Sequence, residues 1–193
     1  FRISLFNKFN ESEKLKKSYF NLATNLIENI VGNELAMQKR INISIQLPND
    51  KSSLLPLHSD TWSGDSPFEV VLWLPLVDCY ESKSMFILNQ KKIKKFNKLY
   101  NSPNNKKESD LYKDIKKDLE FVNIKFGQFL LFNQNLPHGN TINKTKETRV
   151  SMNCRFKGLF TPYSQKKLGS FFKPLNLKPA TKIGLNYKFP DES

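Results

Sequence analysis

Histidine and cysteine are scarce in this 193-residue chain, which has two of each, so few metal sites can be built from imidazole and thiolate groups. Cys79 and Cys154 lie far apart within apparent strands, where buried free thiols in a reducing compartment explain them better than a disulfide or a cysteine-bound metal. We therefore expect a cytoplasmic protein. No apolar run approaches the ~20 residues that cross a bilayer, and no signal segment opens the sequence, so a membrane partner is not expected.

Acidic residues are outnumbered, with 18 Asp and Glu against 31 Lys and Arg and a net charge of +13. Such a balance can indicate binding to nucleic acid or to an anionic substrate. The excess here is lysine, spread in pairs such as Lys91–Lys92 and Lys116–Lys117 along predicted helix faces. No arginine-rich stripe interleaved with aromatic residues is present, so we predict a solvated basic surface and no nucleic-acid binding.

The remaining composition is that of a folded protein, because 38% of the residues are hydrophobic and sixteen are Phe. The length suits a single domain over residues 1–193. Since the sequence begins with Phe1 and not with Met, we expect N-terminal residues to be missing from it. Residues 161–193 are basic and contain several Pro and Gly, which predicts a tail laid over the surface of the domain.

Hydrophobic periodicity predicts many short strands and a few helices. Apolar residues at helical spacing (Leu15, Tyr19, Leu22, Leu26 and Ile30) predict a helix over residues 11–31, ending at Gly32. Further helices are predicted over 89–100 and 111–119, with a polar excursion over 101–110. Predicted strands cover 40–47, 68–76, 84–88, 121–125, 128–133 and 148–156. This order favours a β-rich α+β domain, a small barrel or jelly roll with the N-terminal helix packed on the sheet.

Two of these strands alternate strictly between apolar and polar residues. In the last strand, Arg149, Ser151, Asn153 and Arg155 share one face, and in strand 40–47 Asn42, Ser44 and Gln46 do so. A strand exposes such a polar face only to water or to a site. We therefore predict that these faces line the mouth of a pocket.

The sequence His58-Ser59-Asp60 places an imidazole and a carboxylate on one face of an extended segment. The second histidine, His138, lies far downstream. Two imidazoles and one carboxylate form the facial ligand set of non-haem Fe(II) oxygenases, which leaves open positions for a co-substrate and dioxygen. We predict that His58, Asp60 and His138 bind one metal ion.

Arg149 follows His138 by eleven residues and faces the same way as Ser151. A guanidinium group beside a hydroxyl is suited to hold a carboxylate through charge-assisted, bidentate hydrogen bonds. A dicarboxylate such as 2-oxoglutarate would bind the metal at its keto-acid end while Arg149 holds the other carboxylate. An ordinary structural ion pair is the alternative for Arg149.

These residues, in this order, resemble the 2-oxoglutarate/Fe(II) dioxygenases, and their spacing resembles the phytanoyl-CoA dioxygenase branch. Four segments resemble in particular a bacterial subgroup associated with carbohydrate and aminoglycoside gene clusters: 56–65 (PLHSDTWSGD), 71–76 (VLWLPL), 138–140 (HGN) and 149–157 (RVSMNCRFK). The resemblance runs from about Ile41 to Tyr163.

The resemblance implies a double-stranded β-helix in which His58, Asp60 and His138 hold Fe(II), and Arg149 and Ser151 hold 2-oxoglutarate. Such an enzyme consumes dioxygen and releases succinate and CO₂. Related halogenases replace the carboxylate ligand with a small residue, so the presence of Asp60 favours hydroxylation or another oxidation. The implied substrate is a small metabolite, a sugar or nucleotide sugar.

Several polar and aromatic residues have two interpretations. Gln46 and Asn42 either contact 2-oxoglutarate or substrate or belong to a buried polar network. Arg155, about 20 Å along the strand from Arg149, either binds an anionic substrate group or pairs with an acidic residue. Trp62 is expected to pack, or to wall a sugar ring, and Asp65 is expected in a turn.

A different class of function is the rival to the oxygenase. In it, the chain is a jelly-roll sugar-binding or isomerase-type domain whose metal is structural or absent.

Overall fold

Two antiparallel sheets form the framework of the computed structural model, which describes residues 2–101 and 108–190. The larger sheet has the order β6-β3-β8-β1-β9, with β2 also paired to β8, and the smaller has the order β5-β4-β7. The strands are β1 (Leu35–Gln38), β2 (Asn42–Gln46), β3 (Glu69–Pro75), β4 (Met85–Leu88), β5 (Leu119–Phe121), β6 (Leu130–Asn133), β7 (His138–Asn140), β8 (Arg149–Gly158) and β9 (Phe172–Leu175). This arrangement is a β-rich α+β, jelly-roll-like fold.

Strand β8 is the centre of the larger sheet because it pairs with β1, β2 and β3. Its alternation is confirmed. Met152, Cys154 and Phe156 lie in the main hydrophobic core, while Arg149, Ser151, Asn153 and Arg155 line a cavity on the other face. A second apolar cluster, which includes Val71 and Trp73 of β3, Phe132 of β6 and Met85 of β4, joins the two sheets beside that cavity.

The N-terminal region packs on the larger sheet as predicted, but as three helices: α1 (Arg2–Glu11), α2 (Glu13–Asn21) and α3 (Thr24–Val31). Ser12 caps α2 by accepting a hydrogen bond from the backbone of Leu15, which breaks the predicted helix over residues 11–31. The buried face is Tyr19, Phe20, Ala23 and Ile27, and Tyr19 donates a 2.5 Å hydrogen bond to the carbonyl of Leu72.

The predicted apolar face of this helix was wrong except at Tyr19. Leu22, Leu26 and Ile30 are half exposed, at 49% to 57%. Both sets of residues have helical spacing, and the break between α2 and α3 decides which set turns inward.

The remaining helices are α4 (Ile93–Tyr100), α5 (Glu108–Ile115) and α6 (Pro179–Asn186). Helix α4 lies within the predicted range 89–100, and most of the predicted excursion, residues 102–107, is outside the described residues. No helix in the described ranges is long and apolar enough to cross a membrane.

The strands over 42–46, 69–75, 85–88 and 149–158 match the predicted strands closely, whereas β5 begins before the predicted 121–125 strand. Three strands were not predicted: β1, β7 and β9, none longer than four residues. Strand β9 lies in the predicted surface tail, yet it pairs with β1 and buries Phe172 completely. The tail prediction is therefore wrong for Phe172–Leu175, because the edge of β1 offers backbone partners that a short apolar segment can satisfy.

Candidate metal centre and its cavity

The two histidines lie opposite each other in an isolated antiparallel bridge. The backbone amide of His58 donates to the carbonyl of His138 over 2.9 Å, and the reverse bond measures 2.8 Å. Each ring is oriented in the same way, because each Nδ1 lies 2.8 Å from the carbonyl two residues earlier, that of Pro56 or Leu136. With Nδ1–H donating to these carbonyls, both Nε2 atoms present their lone pairs to the same space.

The carboxylate of Asp60 completes the group. Its Oδ1 lies 3.7 Å from Nε2 of His58 and 4.0 Å from Nε2 of His138, and one ligand atom from each residue lies within 4.8 Å of the others. The extended segment predicted here ends at Ser59, because Asp60 begins a short 3₁₀ helix, Asp60–Ser63. Ser59 is nevertheless extended (φ −120°, ψ 137°), so His58 and Asp60 still point the same way.

The environment of His138 keeps its imidazole neutral. Burial, and then the neighbouring His58, lower the pKa of His138 to about 4. A neutral imidazole carries the lone pair that a metal ligand needs. The three residues therefore form a group that can bind a divalent metal ion and leave part of its coordination sphere open.

A cavity of about 320 Å³ opens beside this group. All three candidate ligands line it, together with Arg149, Ser151 and Arg155 from the polar face of β8 and Asn42 and Ser44 from β2. Of the residues predicted to line the mouth of a pocket, all except Gln46 line this cavity, and the structure brings the predicted metal ligands and Arg149 to it as well.

Arg149 is a buried cation without a carboxylate partner among the described residues. Its side chain is 3% exposed, Nη2 donates to Oγ of Ser44 over 3.1 Å, and Nε has no acceptor there. Burial lowers its pKa. The hydroxyl of Ser151, two residues along the strand, is likewise buried and unpartnered within the described ranges. An unpaired buried charge is costly, so this end of the cavity can accommodate an anionic group. The alternative, a structural ion pair for Arg149, is absent from the described residues.

Arg155 is a largely buried cation with acidic partners. Its Nη2 lies 2.9 Å from Oδ1 of Asp60, and its Nε lies 3.3 Å from Oδ1 of Asp65. Of the two interpretations, the pairing with acidic residues is the one the structure contains. No pattern in the sequence indicates that one of these partners is the candidate metal ligand Asp60.

Three other candidates differ in position. Asn42 lines the cavity, where its Nδ2 donates to Oδ1 of Asn153 over 3.0 Å. Gln46 is fully buried and does not line the cavity. Its Nε2 donates to the carbonyl of Thr141 over 2.6 Å, and its Oε1 is unpartnered in the described part of the chain. Trp62 is not among the described residues that line the cavity. Its ring stacks on that of Tyr100, with 4.7 Å between the ring centroids, which favours the packing interpretation.

Sequence reasoning missed Asp65 and Lys166. Asp65, expected in a turn, is 2% exposed, lines the cavity and pairs with Lys166, which also lines it. Lys166 lies in the segment taken for a surface tail, and no pattern in that segment indicated contact with the site. Among the described cavity-lining residues, the carboxylates of Asp60 and Asp65 balance Arg155 and Lys166, which leaves Arg149 as the unbalanced charge.

The jelly-roll-like fold of this chain is also found in solved structures of non-haem iron enzymes. No protein-family model and no curated protein matches the sequence. Solved structures do match: the epimerase SnoN in complex with Fe³⁺, alpha ketoglutarate and nogalamycin RO superimposes with a TM-score of 0.60 and 17% identity, over 86% of this chain and 69% of that one.

Two further matches have similar statistics. HygX from Streptomyces hygroscopicus, with nickel, 2-oxoglutarate and hygromycin B bound, gives a TM-score of 0.53 and 15% identity over 81% of this chain and 66% of HygX. The carbocyclase SnoK from nogalamycin biosynthesis gives 0.57 and 11% over 84% and 72%. The chain spans about half the length of another match, the non-heme monooxygenase ThoJ (49%). At these identities the likeness establishes a shared fold.

Proposed function

We propose that residues 1–193 form a single Fe(II)/2-oxoglutarate-dependent oxygenase domain, a double-stranded β-helix of the phytanoyl-CoA dioxygenase-like branch. The observation that carries this proposal is the presence of two complementary features in one cavity. One is the open ligand group of His58, Asp60 and His138, and the other is the buried guanidinium of Arg149, which has no carboxylate partner among the described residues. A metal with a dicarboxylate satisfies both at once.

The donor set fits the group it would hold. Two neutral imidazoles and one carboxylate are the facial ligands of non-haem Fe(II). Arg149 would bind the distal carboxylate of 2-oxoglutarate, with Ser151 donating a second hydrogen bond and Ser44 orienting the guanidinium. When bound, the iron and 2-oxoglutarate supply the oxidising chemistry, in which O₂ and 2-oxoglutarate yield succinate, CO₂ and an oxidised substrate. The protein's own residues bind, orient and exclude water.

The other end of the cavity supports a neutral, polar part of the substrate, such as a sugar ring. Its charges are already paired, Asp60 with Arg155 and Asp65 with Lys166, and the amides of Asn42 and Asn153 and the hydroxyl of Ser63 offer hydrogen bonds. Hydroxyl-rich molecules suit such a lining. HygX binds hygromycin B, which is consistent with a carbohydrate-related metabolite, a sugar or nucleotide sugar, as substrate.

Hydroxylation or a related C–H oxidation is the reaction we propose, because Asp60 fills the ligand position that a halide would need. The matching structures include an epimerase, a carbocyclase and a monooxygenase, so the product has to be identified. In mass spectrometry, hydroxylation adds one oxygen and oxidative cyclisation removes two hydrogens, whereas an epimer keeps the mass of the substrate and is recognised by NMR.

The test is succinate formation from 2-oxoglutarate with Fe(II) and ascorbate, across a panel of amino sugars, nucleotide sugars and aminoglycosides. We expect turnover with the wild type and none with Asp60→Ala, whose circular dichroism spectrum should stay native. Absence of turnover throughout, together with absence of Fe(II) and 2-oxoglutarate binding, would reject the proposal. A tightly held zinc ion that iron cannot replace would favour the sugar-binding or isomerase-type alternative.

A further inference from the structure

Arg155 holds a carboxylate that is also a candidate metal ligand. Its Nη2 lies 2.9 Å from Oδ1 of Asp60, the oxygen that also faces Nε2 of His58 and of His138. Both side chains are about nine-tenths buried, so water competes little for either group. A charge-assisted hydrogen bond in such surroundings is short and strong.

Arg155 is itself fixed from several directions. Its Nε lies near Oδ1 of Asp65 (3.3 Å) and Oε1 of Gln134 (3.1 Å). Oε1 of Gln38 accepts from Nη1 at 3.2 Å and from the Arg155 backbone amide at 3.3 Å. These partners come from β1, from the segment after β6 and from the loop before β3, so the guanidinium plane has one orientation.

Two opposite effects on a bound metal follow from this contact. As a positive charge, Arg155 repels a divalent cation and competes with it for Oδ1, which would weaken metal binding. As a donor, it fixes the χ angles of Asp60 and points a second lone pair of the carboxylate at the imidazoles. The 3₁₀ helix that carries Asp60 has only four residues and gives the side chain little support of its own.

We propose that Arg155 is a positioning residue for the metal centre, which presents Asp60 to the metal, and that this effect exceeds its electrostatic repulsion. Asp65 and Lys166 extend the same arrangement, since Asp65 pairs with Arg155 on one side and with Lys166 on the other. Through Asp65 and Arg155, Lys166 in the 161–170 segment is therefore connected to Asp60. The inference rests on the metal site of the proposed function.

The sign of the change in metal affinity tests this inference. Wild type, Arg155→Met and Arg155→Lys are titrated with Co(II) under anaerobic conditions, and affinity and ligand-field absorption are read together. We expect Arg155→Met to bind Co(II) about 10- to 100-fold more weakly, with an altered absorption band, because the loss of a partner that orients a ligand typically has this effect. Arg155→Lys keeps the charge but not the planar fork and should recover part of the affinity.

The matched control is Lys173→Met, which removes one positive charge from a residue paired with Glu13 outside the cavity and should leave both readouts unchanged. Unchanged or tighter Co(II) binding by Arg155→Met would overturn the inference, because repulsion would then dominate. If Arg155→Met does not fold, Arg155→Lys decides, and an affinity and spectrum equal to wild type overturn the inference. Failure of the wild type to bind Co(II) would instead overturn the proposed function.

Discussion

The replacement of Arg149 by Met is the most informative perturbation of the site, because it should separate co-substrate binding from folding. The guanidinium has five N–H donors, and the structure uses Nη2 for Ser44 and leaves Nε without an acceptor among the described residues. Two further charge-assisted bonds to a carboxylate contribute about 1.5 to 3 kcal/mol each. Their loss should weaken 2-oxoglutarate binding by about two to four powers of ten in Kd.

The stability of the same variant should change in the opposite direction. Without co-substrate, Arg149 is buried with no carboxylate beside it in the described ranges, so an apolar side chain of similar length removes an unpaired charge. We expect Arg149→Met to unfold at an equal or higher urea concentration than wild type, since replacing buried charge by apolar groups is often neutral or stabilising.

Calorimetric titration of 2-oxoglutarate into Ni(II)-loaded protein measures the affinity, and urea unfolding measures the stability. Arg149→Lys should bind 2-oxoglutarate with intermediate affinity, because it keeps the positive charge but lacks the planar guanidinium group. Ser44→Ala, which removes one acceptor from the guanidinium, should lose about tenfold or less. If Arg149→Met binds 2-oxoglutarate within tenfold of wild type, Arg149 is not the clamp and the assignment of this end of the cavity is wrong.

Three other perturbations probe the surroundings of the site. In Gly139→Ala the new Cβ would lie 2.7 Å from the carbonyl oxygens of Leu55 and Pro56, so we expect the free energy of unfolding to fall by about 1 to 3 kcal/mol. Ni(II) binding should also weaken, because the carbonyl of Pro56 orients the His58 ring. An unchanged Ni(II) titration would contradict this. Trp62→Ala should lower the free energy of unfolding in urea by about 2 kcal/mol or more and leave the KM for substrate unchanged. A changed KM without a loss of stability would instead indicate that Trp62 contacts a sugar ring of the substrate. Burial raises the pKa of Glu69 from 4.5 to about 7, so the folded state favours its protonated form. The stability it contributes is present below pH 4.5 and is lost as the pH rises through about 7, by about 3 kcal/mol. Because the lowered pKa of His138 gives the opposite pH dependence in the same range, the test is a difference: the unfolding free energy of Glu69→Gln should increase relative to wild type between pH 5 and 7, and a constant difference would contradict this.

The parts of the site that the sequence predicted are those governed by local periodicity. The alternation of β8 follows directly from residues 149–156, because successive side chains of a strand point to opposite faces. Its polar face lines the cavity and its apolar face lies in the core. Likewise, His58 and Asp60 share a direction because one extended residue, Ser59, separates them, and this held even though no regular strand forms there.

The parts that were missed depend on contacts between distant segments. Asp65 has no local signal of burial, since its partners Arg155 and Lys166 lie 90 and 101 residues away in the chain. Strand β9 forms because β1 offers an unpaired edge, which its own sequence does not encode. The prediction of the buried helix face is wrong for a related reason. Residues 15–30 present two apolar stripes, and tertiary packing selects the one that contains Phe20 and Ile27.

The site also combines two kinds of support. Arg149 lies on β8, which hydrogen bonds along its length to three strands, so the group proposed to hold the co-substrate is on the most extensively paired strand of the larger sheet. The candidate metal ligands come from an isolated bridge, a 3₁₀ helix and a three-residue strand, elements with few backbone bonds of their own. Arg155 also belongs to β8 and contacts Asp60 directly. The distance between the proposed metal and co-substrate sites would therefore be set through one strand, which supports the proposal that Arg155, far along that strand from Arg149, positions a metal ligand.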